Sequence, residues 1–173
     1  QGTGGHTVSG NYIGTDAAGA VDLGNVGRGV HIINSANNTI GGTTDPERNV
    51  ISGNNIEGIL VRGAGATGNL ILGNYIGVNA TEDGTLGNTE EGIQILSDAS
   101  GNTIGGTAAG AGNVIGGNVL RGIEIDNSNN NVVQGNFIGT DSTGTVNLGN
   151  LGLAGVVLRG GATGNQIGGV DRK

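Results

Sequence analysis

Gly73-Asn74-Tyr75-Ile76-Gly77 recurs as Gly10-Asn11-Tyr12-Ile13-Gly14 and as Gly135-Asn136-Phe137-Ile138-Gly139, at separations of 63 and 62 residues. Self-similarity at a long fixed period is the mark of an architecture made by stacking one unit on copies of itself. The long repeats run over about 10–72, 73–134 and 135–173, the last of them partial, inside a single domain spanning 1–173.

A shorter rhythm lies within each long repeat. Strand-like segments open at Gly29, Gly58, Gly92, Gly122 and Gly155, at intervals of 29, 34, 30 and 33 residues. In each, apolar residues alternate: Val30/Ile32, Ile59/Val61, Ile93/Ile95, Ile123/Ile125 and Val156/Leu158 point one way. His31, Leu60, Gln94, Glu124 and Val157 point the other. Alternation with a period of two signals a strand with one buried face. A second strand follows about ten residues on, at Asn38–Gly42, Asn69–Leu72, Asn102–Gly106, Asn131–Val133 and Asn165–Gly169. A third follows at Asn49–Asn54 and Asn113–Asn118, and in alternate turns its place is taken by the Gly-Asn-aromatic-Ile-Gly phrase.

Three short strands per turn, with no regular two-residue hairpin between them, predict a coil in which each strand lies beside its counterpart one turn later. Equivalent residues then stack in columns about 4.8 Å apart. Ile and Val fill the interior, and Asn columns occupy the bends, each amide bonding the amides above and below. Gly and Asn also accept the positive φ that tight bends require. The expected fold is all-β: one parallel solenoid of about five coils.

The composition agrees. The chain of 173 residues carries 40 Gly, 23 Asn, one Pro and only three aromatics, so a core of small aliphatics in a narrow interior suits it better than a conventional one. Ile and Val at fixed offsets from Gly and Asn argue against disorder. A net charge of −7 gives no basic stripe for nucleic acid. With no Cys there are neither disulfides nor thiolate metal sites. No apolar run approaches the ~18 residues that span a bilayer. Gln1-Gly2-Thr3-Gly4-Gly5 is not a signal peptide.

Asn49-Val-Ile-Ser-Gly-Asn54, Asn102-Thr-Ile-Gly-Gly106 and Gly139-Thr-Asp141 resemble the right-handed parallel β-helix repeats of bacterial extracellular proteins, the pectate-lyase-like superfamily. The resemblance covers essentially the whole chain. It implies a right-handed path and a secreted or cell-surface location. Members of that superfamily include lyases, hydrolases, epimerases, adhesins and passive stalks, so the resemblance implies no single activity. Its enzymes usually place their groove on the face of the first strand, but their motifs are missing here: there is no Gly-His-Gly, adjacent Asp-Asp or Arg-Ile-Lys.

On the first-strand face stand Arg28, Glu57, Glu91 and Arg121, with Glu124, Asp126 and Arg159 nearby. Paired carboxylates beside an Arg could abstract a sugar proton and stabilise the resulting charge. Their order instead predicts opposite-charge pairs between adjacent strands (Arg28 over Glu57, Glu91 over Arg121, Asp126 beside Arg159), exposed and individually weak. A loop of constant length recurs at 14–25, 77–88 and 139–150, with Asp16, Asn79 and Asp141 in one column and Leu23, Leu86 and Leu148 in another. Ca²⁺ would want several oxygens there. An Asx-type turn, with the side chain capping its own backbone and Leu pinning the loop, accounts for it better. Tyr12, Tyr75 and Phe137 fall in one column, expected to be a packed stack rather than a sugar platform. His6 reads as a variant of the bend Asn column and His31 as an isolated outward residue. No residue is assigned a catalytic, cofactor-binding or metal-ligating role.

Residues 2–14 align with 65–77, so the sequence starts midway round a coil, stops midway round another, and lacks a recognisable cap. That suggests a piece of a longer solenoid, or ends that associate with neighbours. The sequence therefore points to a structural or interaction module, with polysaccharide or other surface proteins as partners. The runner-up is a polysaccharide lyase or hydrolase using Glu91, Arg121 and Glu124. A third reading is a Ca²⁺-stabilised carbohydrate-binding segment.

Overall fold

The computed structural model of the protein describes residues 4–169. The backbone winds as a parallel β-solenoid of about five coils, each contributing one short strand to each of three sheets. The six-stranded sheet joins Thr7–Val8, Thr39–Gly41, Leu70–Leu72, Thr103–Gly105, Val132–Gln134 and Gln166–Ile167. A five-stranded sheet joins Tyr12–Ile13, Val50–Ile51, Tyr75–Ile76, Val114–Ile115 and Phe137–Ile138. The third joins Val30–Ile33, Ile59–Arg62, Ile93–Leu96, Ile123–Asp126 and Val156–Arg159. Every pairing between these strands is parallel and joins equivalent residues of successive coils, as the alternation predicts.

Inside, register turns alternation into columns. Ile40, Ile71 and Ile104 stack from the six-stranded sheet, Ile51, Ile76 and Ile115 from the second, and Ile59, Ile93 and Ile123 from the third. All nine are at most 1% exposed and belong to one continuous apolar cluster. Burying an aliphatic side chain of this size is worth about 1.5–3 kcal/mol. With so few aromatics, the stability of the core rests on this repeated Ile and Val.

Three Asn ladders hold the corners. They are Asn38–Asn69–Asn102–Asn131–Asn165, Asn11–Asn49–Asn74–Asn113–Asn136 and Asn25–Asn54–Asn88–Asn118–Asn150. Each Nδ2 donates to the Oδ1 one coil on, at 2.7–3.1 Å throughout. The same Oδ1 also accepts the backbone N–H of the preceding Asn, as Asn102 does from Asn69 at 3.0 Å. The second Nδ2 hydrogen of Asn102 goes to Ala66 O of the coil before, at 3.0 Å, and that of Asn38 to Ser35 O of its own coil, at 3.1 Å. An amide buried this way has its donors and acceptor satisfied, which is the condition for burying it at all. His6 opens the first ladder through its backbone, donating its N–H to Asn38 Oδ1 at 3.0 Å.

The loops explain why the sequence repeats every two coils. The long loops 14–25, 77–88 and 139–150 leave the second sheet at one side, each pinched by an antiparallel bridge (Thr15 to Asp22, Val78 to Thr85, Thr140 to Asn147). Intervening coils have short bends there and instead carry loops 42–48 and 106–112 on the sheet's other side. Coils only about 4.8 Å apart leave no room for a bulky loop at every level. Over the second sheet's outer face, Val50, Tyr75, Val78, Val114 and Leu148 form a second apolar cluster. That sheet is therefore roofed.

Candidate functional site

On the outer face of the third sheet the structure brings together the residues that the sequence nominated for chemistry. Arg28 Nε lies 2.6 Å from Glu57 Oε2, though off the hydrogen-bond direction; the aligned contact is Nη2 donating to Oε1 at 3.5 Å. Arg121 Nη1 lies 2.9 Å from Glu91 Oε1 and 3.0 Å from Glu124 Oε2. Arg159 closes the chain, 2.9 Å from Glu124 Oε1 and 3.0 Å from Asp126 Oδ2. Gln94 Nε2 also donates to Glu124 Oε1, at 2.9 Å. Signs alternate along Glu91–Arg121–Glu124–Arg159–Asp126. The three predicted pairs are present.

The expectation of exposure holds for Asp126–Arg159 but fails for the other carboxylates. Glu57 and Glu91 are 2% exposed, and Glu124 is fully buried. Leu60, also on the outward side, is 1% exposed. Long Arg side chains lie over an outer sheet face and cover it with their methylenes while keeping their charge partly wet. Glu91, Arg121 and Glu124 thus meet, but as an ion-pair network in which the Glu91 and Glu124 carboxylates are buried. Glu90, next to this row, has its carboxyl pushed up by burial and by the charges of Glu57 and Glu91. His31 is exposed but partly desolvated against the sheet, and that desolvation, then the charges of Arg28 and Arg62, hold its imidazole below the usual value.

The constant-length loops are Asx-type turns. Asp16 Oδ1 accepts from the backbone N–H of Ala20 and Val21 at 2.7 and 3.0 Å, and Asp141 Oδ1 from Thr145 and Val146, both at 2.7 Å. Asn79 Oδ1 accepts at the same places from Asp83 and Gly84, at 3.1 and 3.3 Å. The Asp141 carboxyl is lowered to about 2, by Thr143 first and then by the amides of Val146, Thr145 and Thr143. Among the described residues, no three or more His, Asp or Glu side chains gather as a metal site would gather them. Leu148 is buried against the roof and pins its loop; Leu86 is half-buried, and Leu23 is 66% exposed and pins nothing.

The aromatic column needs correcting. In register it reads Tyr12, Val50, Tyr75, Val114, Phe137, so a Val separates each aromatic from the next. A phrase that recurs every 63 residues recurs every second coil, which was the signal that the rings could not touch. The Tyr75 ring packs instead under Arg48, whose guanidinium lies 4.3 Å from its centroid. Arg48 Nε donates to Gly73 O at 3.2 Å, and Nη1 pairs with Asp45 at 2.9 Å. The Tyr75 hydroxyl donates to Glu82, and burial and that carboxylate together raise its pKa well above the ordinary phenol range. A recess of about 830 Å³ opens beside this group over the roofed sheet, rather than on the first-strand face. Among the described residues no helix is long and apolar enough to cross a membrane. Compared with known proteins, the chain matches no family model, no curated protein and no solved structure.

Proposed function

We propose that this chain is a rigid segment of a secreted or cell-surface protein, serving as spacer, stalk or adhesive surface and carrying no catalysis of its own. The observation that carries the reading is the set of three unbroken amide ladders, one at each corner, which tie every described coil to the next. The interior is aliphatic, and the acids that could do chemistry are spent in ion pairs beneath Arg side chains. Kinship with the right-handed pectate-lyase-like β-helices belongs to the same proposal, supported by the parallel coil with three strands per turn.

A specific observation keeps the runner-up in play: Arg121 lies between Glu91 and Glu124, the residues a polysaccharide lyase or hydrolase would use here. Incubation with polyuronate and neutral glycan panels, with and without Ca²⁺, separates the two. Absorbance of unsaturated products and release of reducing ends are the readouts. No turnover is expected. Turnover that disappears in Glu91→Gln or Glu124→Gln would transfer the assignment to the enzyme.

A further inference from the structure

The roof loops offer an internal comparison. Residue 19 of the first long loop, residue 82 of the second and residue 144 of the third hold the same place, five residues after the glycine that opens each loop. Each has a left-handed backbone, with φ of +65° at Gly19, +57° at Glu82 and +75° at Gly144. Glu82 is thus the non-glycine residue at a position that favours glycine, and an outlier of this kind points to a use for the side chain.

That use is visible in how the loops are tied. The first and second loops are joined by a backbone bond, Ala80 N–H donating to Gly19 O at 3.0 Å. Ser142 of the third loop is the counterpart of Ala80. Its N–H donates at 2.6 Å to the Glu82 carboxylate (Oε2), while Glu82 Oε1 accepts from the Tyr75 hydroxyl. A carboxylate has taken over the role that a peptide carbonyl plays one repeat earlier. Carboxylates take up protons in acid and peptide carbonyls do not.

We propose that Glu82 is an acid-sensitive latch: its protonation loosens loop 139–150 from the roof, while the link between the first two loops is indifferent to pH. The loop carries Val146 and Leu148, so loosening it uncovers the apolar cluster around Val114. Charged and titratable groups converge on the latch from each neighbouring element. Tyr75 comes from the sheet below, and Arg48 and Asp45 from loop 42–48. Asp83 lies on the latch's own loop, and Asp141 beside Ser142.

Amide NMR on the whole chain tests this between pH 7 and about 3, the span over which glutamate carboxyls generally titrate. The Ser142 amide proton should move upfield, and its intrinsic-rate-corrected exchange should quicken about five- to tenfold, the loss expected when a charge-assisted bond becomes a neutral one. Ala80 should stay put. Glu82→Gln should abolish the Ser142 titration, and Glu82→Gly, which suits the backbone, should leave Ser142 fast-exchanging at every pH. Asp141, held at about 2, titrates below this window. A flat Ser142 signal, a titration surviving in Glu82→Gln, or Ala80 moving with Ser142 would each overturn the proposal.

Discussion

Ser128 sits fully buried in the bend that precedes the first Asn ladder, and its hydroxyl has no hydrogen-bond partner. Equivalent positions in other coils hold Ala66, Ala99 and Ala162, packed in or against the core, and Ser35, whose hydroxyl accepts from Asn38. An unsatisfied buried hydroxyl costs about 1–3 kcal/mol, so Ser128→Ala should raise stability by about 1 kcal/mol, read as a higher denaturant midpoint. Asp141 gives a pH-dependent counterpart. Its folded carboxyl is depressed to about 2 from an ordinary 3.8, so its stabilisation is complete above about pH 4 and is lost as pH falls towards 2. Asn79 shows that an amide makes the same turn. Asp141→Asn should therefore keep the fold at neutral pH and flatten the acid limb of a stability–pH profile. A mutant limb as steep as the wild type's would show that other carboxyls govern it.

At the scale of elements, the ladders and the charged sheet dominate. Asn102 is fully buried and makes four bonds, accepting from Asn69 N and Nδ2 and donating to Ala66 O and Asn131 Oδ1. Asn102→Ala would strand two donors and a carbonyl in the interior and should cost about 3–5 kcal/mol. Asn25, exposed on its ladder, should cost under about 1 kcal/mol when truncated, so the pair of variants measures the worth of burial. Glu124→Gln removes the charge shared by Arg121 and Arg159. Breaking a fully buried pair costs about 3–5 kcal/mol, but these Arg side chains are 29% and 51% exposed. Solvent screening reduces the expected loss to about 1–3 kcal/mol, checked by equilibrium unfolding.

For the whole molecule, the two-coil period gives the sheets different coverings. One sheet is roofed by loops from alternating coils, and another carries an ion-pair network. The outer ranks of the six-stranded sheet hold residues such as Thr39, Leu70, Thr103 and Val132, without a charge on any of its strands. The carboxylates best placed for a cation, Asp16 and Asp141, are already committed to their own backbone amides. Melting temperature should accordingly be the same in millimolar Ca²⁺ and in EDTA. A rise in Ca²⁺ that EDTA reverses would instead support the metal-stabilised carbohydrate-binding reading.

The sequence by itself determined the coil, the register and the corners. Alternating Ile and Val with Asn at constant offsets leave one way to bury the aliphatics and satisfy the amides together. The charge pairs were legible too, because in-register stacking places residue under residue. Only the tertiary structure decided which outward residues are buried: Leu60 and Glu124 read as surface by alternation, and neighbouring side chains from adjacent coils cover them. It also decided the roof. The tie from Glu82 to Tyr75 and Ser142 joins residues up to 60 apart, through a loop conformation that no strand periodicity specifies.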